Sequence, residues 1–230
     1  MKYNNIVKGR FISRPNRFIA LCEVDGEIYK CHVKNTGRCR ELLTENAVVY
    51  LDKAENPDRK TPFDLVKVRK GDLLVNMDSN APNKVFHEYI PKLFDDVVKI
   101  KPEYTYGKSR IDFLVETEQD KKLIEIKGVT LENDGIVRFP DAPTERGIKH
   151  IHELIEAKKA GFTCYIAFIV QMEGMREFRP NWDTHPAFGE ALIEAQNNGV
   201  KILALGCTVT ETDLDITYEI PVILEKQSLL

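Results

Sequence analysis

Hydrophobic and polar residues alternate along the first eighty residues in short runs that end at turn-forming residues. The runs "RFIALCEV" and "IYKCHV" flank Asp25 and Gly26, a pair that favours a tight β-hairpin. The runs "AVVYL", "DLVKVRK" and "DLLVNM" continue the alternation, whereas "GRCRELLTE" predicts a short helical or irregular insertion. Several short strands in so few residues favour a small barrel of the oligonucleotide-binding (OB) type over residues 1–80.

After residue 80 the pattern changes to that of helices and buried strands. The segment "NKVFHEYIPKLF" predicts a short helix that Pro91 ends or kinks. The runs "RIDFLVE" and "KLIEIKG" predict adjacent strands joined by the turn "TEQDK", and "TERGIKHIHELIEAKKAG" predicts a long helix that stops at Gly161. A buried strand "FTCYIAFIVQ", a helix "PAFGEALIEAQNNG" and a strand "VKILALGC" follow. We therefore predict an α/β domain with a mixed central sheet over residues 81–230, and an α+β class for the whole chain.

Composition restricts the class of protein further. Of the 230 residues, 43% are hydrophobic and 30% are charged, which is typical of a globular chain. No apolar run is long enough to span a bilayer, and the first residues lack the apolar segment of a secretory signal. The five cysteines are odd in number and include no C-x-x-C pair, which favours reduced thiols over a zinc site. We expect a cytoplasmic protein with no membrane partner.

Charge is unevenly distributed along the chain. Residues 1–40 contain nine Lys and Arg against three acidic residues, a balance of +6, so the remainder carries −9. A local basic surface of this kind favours a polyanionic partner. Basic residues also lie among aromatic residues in this segment: Arg10, Phe11, Arg14, Arg17, Phe18, Tyr29 and Lys30. Such a surface on a small barrel binds nucleic acid through phosphate contacts and base stacking. The alternative is a solvated surface whose aromatic rings belong to the core.

The run "KLIEIKG" carries an acid and a base two residues apart, Glu125 and Lys127, inside a predicted strand. The preceding strand begins with "RID", so Asp112 can lie across the hairpin from Glu125. Two adjacent carboxylates bind a cation, and oxygen ligands favour Mg²⁺ or Mn²⁺. A lysine beside such a metal can orient water and stabilise charge on a phosphate oxygen, as metal-assisted phosphodiester hydrolysis requires. The alternative is a salt bridge across strands at a sheet edge.

Two resemblances follow from these motifs. Asp112 and the pattern Glu125-x-Lys127, in helix-strand-strand-helix-strand order, resemble the PD-(D/E)XK nuclease superfamily. A longer set of motifs over residues 34–200 resembles the sugar fermentation stimulation protein family (SfsA): "KNTGRCRELL", "SRIDFL", "EIKGVTL", "FPDAPTERGIKHIHEL" and "HPAFGEAL". The resemblance implies an amino-terminal OB-like barrel, a nuclease-like carboxy-terminal domain and DNA binding. The family's name refers to an effect on sugar use and defines no reaction.

The resemblance also implies roles for individual residues. Asp112, Glu125 and the carbonyl of Ile126 are expected to hold the metal, and Lys127 to act on the attacking water. Glu88, on the preceding helix, is expected to supply a further metal ligand, with a solvent-facing glutamate as the alternative. Contacts with DNA are expected from residues of the barrel and of the long helix: Arg10, Arg14, Arg17, Lys34, Asn35, Arg38, Arg146 and Lys149. The alternatives are that Asn35 to Arg38 only close a loop and that Lys149 forms a surface pair with Glu145.

These residues together predict a DNA-binding protein with a Mg²⁺-dependent or Mn²⁺-dependent nuclease-like site. It would hydrolyse phosphodiester bonds in DNA with little sequence preference. The alternative is a non-catalytic DNA-binding regulator of sugar (maltose) metabolism genes that uses the same surfaces without cutting. A sugar-metabolising enzyme lacks a supporting motif, since the sequence has no phosphate loop, dinucleotide fingerprint or catalytic triad. The sequence does not determine the oligomeric state, and a homodimer is compatible with it.

Overall fold

The computed structural model describes residues 1–35 and 37–226, which form two compact units. The first unit consists of Met1–Val85 together with Gln171–Glu173 and Cys207–Thr217, and the second of Phe86–Val170, Gly174–Gly206 and the chain from Tyr218. The expected domain boundary between residues 80 and 81 stays a prediction. The two short later segments of the first unit are ones that the sequence pattern assigns to the second domain.

The described residues form fifteen strands and three helices. The first six strands are β1 (Ile6–Asn16), β2 (Ile19–Val24), β3 (Glu27–Val33), β4 (Val48–Lys53), β5 (Phe63–Lys70) and β6 (Leu73–Asn76). They are followed by α1 (Ala81–Leu93), β7 (Val97–Tyr106), β8 (Ser109–Thr117), β9 (Lys121–Val129), β10 (Glu132–Asn133) and β11 (Ile136–Phe139). The remaining elements are α2 (Glu145–Lys159), β12 (Thr163–Val170), β13 (Glu177–Pro180), α3 (Pro186–Asn197), β14 (Lys201–Val209) and β15 (Leu214–Glu219). Within the described ranges, no helix has both the length and the apolar character needed to cross a membrane.

Strands β1 to β5 close into the predicted OB-like barrel. Antiparallel pairing joins β3 to β2, β2 to β1, β1 to β4 and β4 to β5, and a parallel pairing of β3 with β5 closes the barrel. The β2–β3 hairpin turns at Asp25 and Gly26, whose φ angles of 51° and 84° are the left-handed values that a type I′ turn requires. The prediction of an amino-terminal OB-like barrel is confirmed.

A buried lysine fixes one of the later segments of the first unit. Lys67 of β5 is fully buried, and its Nζ donates to the carbonyl oxygens of Thr210, Glu211 and Asp213 at 2.7, 3.1 and 3.1 Å. An ammonium has three N–H donors, so these three carbonyls satisfy it completely. The Lys67 side chain therefore holds the turn between β14 and β15. The sequence pattern predicts only that Lys67 lies on a strand.

The second large sheet has six strands in the order β15-β14-β12-β9-β8-β7. Strands β7, β8 and β9 pair antiparallel, whereas β9, β12 and β14 pair parallel. Helix α2 lies in the connection from β9 to β12 and α3 in that from β12 to β14, as parallel neighbours require. Helix α1 continues through Pro91 and ends at Leu93, so the proline lies in its last turn. The predicted α/β domain with a mixed central sheet is confirmed.

Candidate metal centre

The candidate site lies where strands β8 and β9 stop pairing. Their last paired residues are Phe113 and Ile124, and the next residues on the two strands are Asp112 and Glu125. At this point Asp112 Oδ2 accepts a hydrogen bond from the backbone N–H of Ile126 at 2.7 Å. A side-chain carboxylate therefore replaces a backbone acceptor and brings the two acidic residues to neighbouring positions.

Glu125 is buried, and its two carboxylate oxygens are in different environments. Oε1 accepts from Lys127 Nζ at 2.5 Å and from His150 Nδ1. Oε2 is buried and has no hydrogen-bond partner in the described ranges. Burial by itself would raise the pKa of the Glu125 carboxyl, but the hydrogen bonds from His150 and Lys127 outweigh burial and hold the pKa below its ordinary value. Glu125 is therefore a carboxylate with one free oxygen in a buried position, where an unsatisfied acceptor is costly.

Lys127 lies on β9 beyond the last residue pair with β8, which is Phe113 and Ile124, at a position where β9 pairs with Phe168 of β12. Its side chain is 17% exposed and that of its partner Glu125 is 4% exposed. Glu125 and Lys127 therefore form the ion pair of the alternative interpretation, but within one strand rather than across two strands. The ammonium remains partly open to solvent beside a carboxylate that is almost completely buried.

His150 belongs to the site, although the sequence analysis does not select it. It lies on α2 and is 4% exposed. Its Nε2 accepts from Arg146 Nε at 3.4 Å, so its Nδ1 carries the hydrogen that is donated to Glu125. One signal in the sequence could have identified it: His150 shares its helical face with Gly147 and Leu154, which are buried. A polar residue inside an apolar stripe needs a partner.

Glu88 is exposed on α1. The residue before it, His87, stacks on Phe113 with ring centroids 5.8 Å apart, and Phe113 follows Asp112 on β8. The turn of α1 that carries Glu88 therefore packs beside the strand that carries the first carboxylate. Its assignment as a further metal ligand stays a prediction.

The residues of this site fit a divalent cation that prefers oxygen ligands. Mg²⁺ is usually held by one or two carboxylates and keeps several waters, so Asp112, Glu125 and the Ile126 carbonyl are a sufficient set. The partnerless Oε2 of Glu125 is the acceptor that a cation would satisfy. The described part of the chain contains no group of three or more His, Cys, Asp or Glu side chains suited to a metal, so a metal held only by side chains is not supported.

Two of the basic residues predicted to contact DNA lie on α2. This helix begins after Thr144, whose hydroxyl accepts from the N–H of Gly147 at 3.1 Å. Arg146 is exposed, and Lys149 is 57% exposed with its Nζ 3.7 Å from Glu153 Oε1. Lys149 also lines a cleft of about 600 Å³ beside the helix, together with Tyr106. Both basic side chains are accessible, and their contact with DNA stays a prediction.

Three of the polar barrel residues expected to bind DNA are already engaged within the barrel. The guanidinium of Arg14 donates to four carbonyl oxygens, those of Arg17, Asn35, Gly37 and Arg38, at 2.7–2.8 Å. Lys34 Nζ lies 3.3 Å from Asp64 and 3.6 Å from Asp78. Asn35 donates to the Met77 carbonyl and accepts from the Gly37 N–H. These contacts give the three residues structural roles, and a phosphate contact would compete with them.

The other three barrel residues predicted to contact DNA, Arg10, Arg17 and Arg38, are exposed. The aromatic residues between them differ in position. Phe11 is buried at 5% exposure, whereas Phe18 is 51% exposed. The alternative that these rings belong to the core therefore holds for Phe11 and fails for Phe18.

Comparison with known proteins agrees with this architecture. Residues 12–77 match the domain described as "SfsA N-terminal OB domain", and residues 80–213 match the "Sugar fermentation stimulation protein RE domain". A sugar fermentation stimulation protein homolog of Clostridium beijerinckii is 56% identical, covering 97% of this chain and 100% of the relative. A homolog of Desulfitobacterium hafniense is 55% identical, covering 94% of this chain and 95% of the relative. The solved structure of Pyrococcus furiosus SfsA in complex with Ca²⁺ matches with a TM-score of 0.86 and 27% identity, over 97% of this chain and 98% of that chain.

Proposed function

The chain belongs to the sugar fermentation stimulation protein family, and from that premise we propose that it binds DNA and hydrolyses phosphodiester bonds at a divalent-metal site around Glu125. The observation that carries the proposal is the buried, partnerless Oε2 of Glu125 next to the ammonium of Lys127. A divalent cation at this position would satisfy that buried oxygen, which has no hydrogen-bond partner among the described residues.

The metal in this proposal is Mg²⁺ or Mn²⁺, held by Asp112, Glu125 and the Ile126 carbonyl, with Glu88 as an additional ligand. When bound, a divalent cation polarises the phosphate and lowers the pKa of a coordinated water. The solved relative from Pyrococcus furiosus was obtained in complex with Ca²⁺, which supports a divalent cation in this family.

The protein's own residues have separate tasks in the proposed reaction. Lys127 orients the attacking water and stabilises the charge that develops on the phosphate oxygens. Glu125 Oε1 holds the Lys127 ammonium at 2.5 Å, so this donor is positioned before the substrate arrives. His150 binds the same oxygen and thereby leaves Oε2 as the free ligand. The hydrogen bond from the Ile126 N–H to Asp112 holds the β9 backbone next to Glu125 against the Asp112 side chain.

The proposed substrate is DNA, bound mainly through its phosphates and therefore with little sequence preference. The excess of six positive charges in residues 1–40 and the exposure of Arg10, Arg17 and Arg38 support this choice. A protein with such a substrate, and with five cysteines that include no C-x-x-C pair, belongs in the cytoplasm. Assembly as a homodimer stays a prediction.

The test of the proposed function is cleavage of supercoiled and linear DNA by the purified protein. We expect cleavage with Mg²⁺ or Mn²⁺, none with EDTA, and none by Glu125→Gln, which keeps the size of the side chain but removes its charge. Chelator-resistant cleavage, or equal cleavage by Glu125→Gln, would point to a contaminating nuclease.

A second candidate, the non-catalytic DNA-binding regulator, is favoured by a different observation. Both contacts of Glu125 converge on one oxygen, and this arrangement neutralises the carboxylate without any metal. A regulator would bind DNA equally well with and without chelator and would not cleave it in Mg²⁺ or Mn²⁺. That combination of results would replace the nuclease proposal with this one.

A further inference from the structure

We propose that the turn between β1 and β2, formed by Arg17 and Phe18, is a stacking site for an unpaired base of single-stranded DNA. The inference rests on the proposed function to the extent that DNA is the ligand. It goes further in naming the strand state that is recognised and the residue that recognises it.

The first observation is the exposure of the Phe18 ring. Its 51% exposure makes it one of three large apolar side chains that are exposed in the described part of the chain, with Ile28 and Val98. Phe18 occupies a two-residue turn, a position where polar or small residues are usual. An aromatic ring at such a position contributes little to the barrel core, so its face is accessible to a ligand.

The second observation is that the turn is held rigid by polar contacts on every side. Asn16 Oδ1 accepts from the N–H groups of Phe18 and Ile19 at 2.9 and 3.1 Å. The Phe18 carbonyl accepts from the N–H of Val33 at 2.8 Å, and the Arg17 carbonyl accepts from Arg14 at 2.7 Å. A backbone fixed in this way leaves only the two side-chain torsions of Phe18 to be ordered when a ligand binds, which lowers the entropy lost on binding.

The third observation is the positive charge around the ring. The Arg17 guanidinium carbon is 5.9 Å from the centroid of the Phe18 ring, within the range of a cation–π interaction. The guanidinium of Arg14 also binds the carbonyls of Gly37 and Arg38, so the loop that carries Arg38 lies next to the turn. An aromatic surface flanked by exposed arginines is the combination that binds a base and its phosphates.

The chemistry selects a single strand rather than a duplex. In a duplex the faces of the bases are covered by their neighbours, and only the edges are accessible in the grooves. An isolated ring on a tight turn offers a face and no hydrogen-bond donor for base edges. An unpaired base is therefore the ligand that this turn fits, and the recognition is independent of sequence because every base has a π face.

The experiment measures the affinity of the protein for a labelled polythymidine strand and for a labelled duplex of equal length by fluorescence anisotropy. EDTA is present throughout, so that the DNA is not cleaved. Phe18→Ala should weaken single-strand binding roughly 5- to 150-fold, the usual effect of losing one stacking ring, and should leave duplex binding and thermal stability unchanged. Phe18→Trp should retain the affinity, and its added tryptophan fluorescence should be quenched by the single strand. Ile28→Ala is the matched control, because it removes another exposed apolar side chain of the barrel, at the opposite end of the β2–β3 hairpin.

Equal single-strand affinities of the wild type and Phe18→Ala would overturn the inference, as would an equal loss in Ile28→Ala or an equal loss of duplex binding. Each of these results would leave the proposed DNA-binding function standing. A wild-type protein that binds neither form of DNA would overturn both proposals.

Discussion

Replacement of Lys127 by alanine separates a catalytic role of this lysine from a structural one. Its ammonium is 2.5 Å from Glu125 Oε1, and the carboxylate side chain is only 4% exposed. Removing the only partner of a buried charge costs about 3–5 kcal/mol. His150 still donates to the same oxygen, so we expect a smaller loss of about 1–3 kcal/mol. For a chain of this length, that loss lowers the melting temperature by roughly 2–12 °C.

The expected loss of activity is much larger than this loss of stability suggests. A donor that stabilises charge only in the transition state contributes about 10²- to 10³-fold to the rate. We therefore expect Lys127→Ala to bind DNA normally and to lose cleavage by at least about 10²-fold at a temperature where it remains folded. Lys127→Arg should restore stability better than activity, because a planar guanidinium replaces a compact ammonium.

Lys122 provides the matched control on the same strand. It is also paired with a carboxylate, that of Asp120, and its side chain is 12% exposed. Because Asp120 is 30% exposed, Lys122→Ala should lose about 1 kcal/mol of stability, and its cleavage rate should stay close to that of wild type. The assay is single-turnover cleavage of labelled DNA in Mg²⁺, with melting curves of the same preparations. The reasoning is refuted if Lys127→Ala cleaves as fast as Lys122→Ala.

Three further predictions follow from the same contacts. Mg²⁺ at about 100 times its Kd should raise the free energy of unfolding by about 2.7 kcal/mol. Asp112→Asn should lose most of that gain in calorimetry, and equal gains in both proteins would place the cation elsewhere. Burial would raise the pKa of Asp120, but hydrogen bonds, first that from Lys122, outweigh burial and lower the pKa from 3.8 to about 2. The stabilisation is therefore complete above pH 3.8 and is lost as the pH falls towards 2. Because Asp120 is partly exposed, the loss is on the order of 1 kcal/mol; urea titrations that show the same pH dependence in Asp120→Asn would contradict it. Arg17→Ala should reduce the slope of log affinity for duplex DNA against log salt by about 0.9, whereas Arg14→Ala should lower the melting temperature. Equal salt slopes in wild type and Arg17→Ala would show that Arg17 contacts no phosphate.

The elements that the sequence predicts well are those whose local signals agree with their tertiary environment. Asp25 and Gly26 adopt positive φ in the β2–β3 turn, as their dipeptide signal requires. The apolar run of β12 is buried between two parallel neighbours. Strand β7 is absent from the prediction, because "VVKIKPEYTY" is charged, contains a proline and is mostly exposed. An edge strand of this kind has no apolar face that a periodicity could reveal.

The candidate site is predictable where a residue type conflicts with its position. Glu125 and Lys127 interrupt a buried strand, and this conflict is visible without any structure. The roles of Arg14 and Lys34 cannot be predicted in the same way, because a basic residue in a basic segment gives no sign of whether its partner is a phosphate or its own chain. Four carbonyls surround Arg14 and two carboxylates surround Lys34, and these partners come from loops whose positions depend on the closed barrel.

His150 shows how the two kinds of information combine at the site. Its helix pattern reveals a polar residue on a buried face, and the strand pattern reveals a buried Glu125, but only the packing of α2 against β9 joins them. The contacts then form one chain, from Arg146 through His150 and Glu125 to Lys127. Because both donors take the same oxygen of Glu125, the other is left without a partner among the described residues. The proposed metal ligand, Glu125 Oε2, is therefore the oxygen that remains without a donor once α2 and β9 have packed together. Neither segment of sequence specifies this by itself.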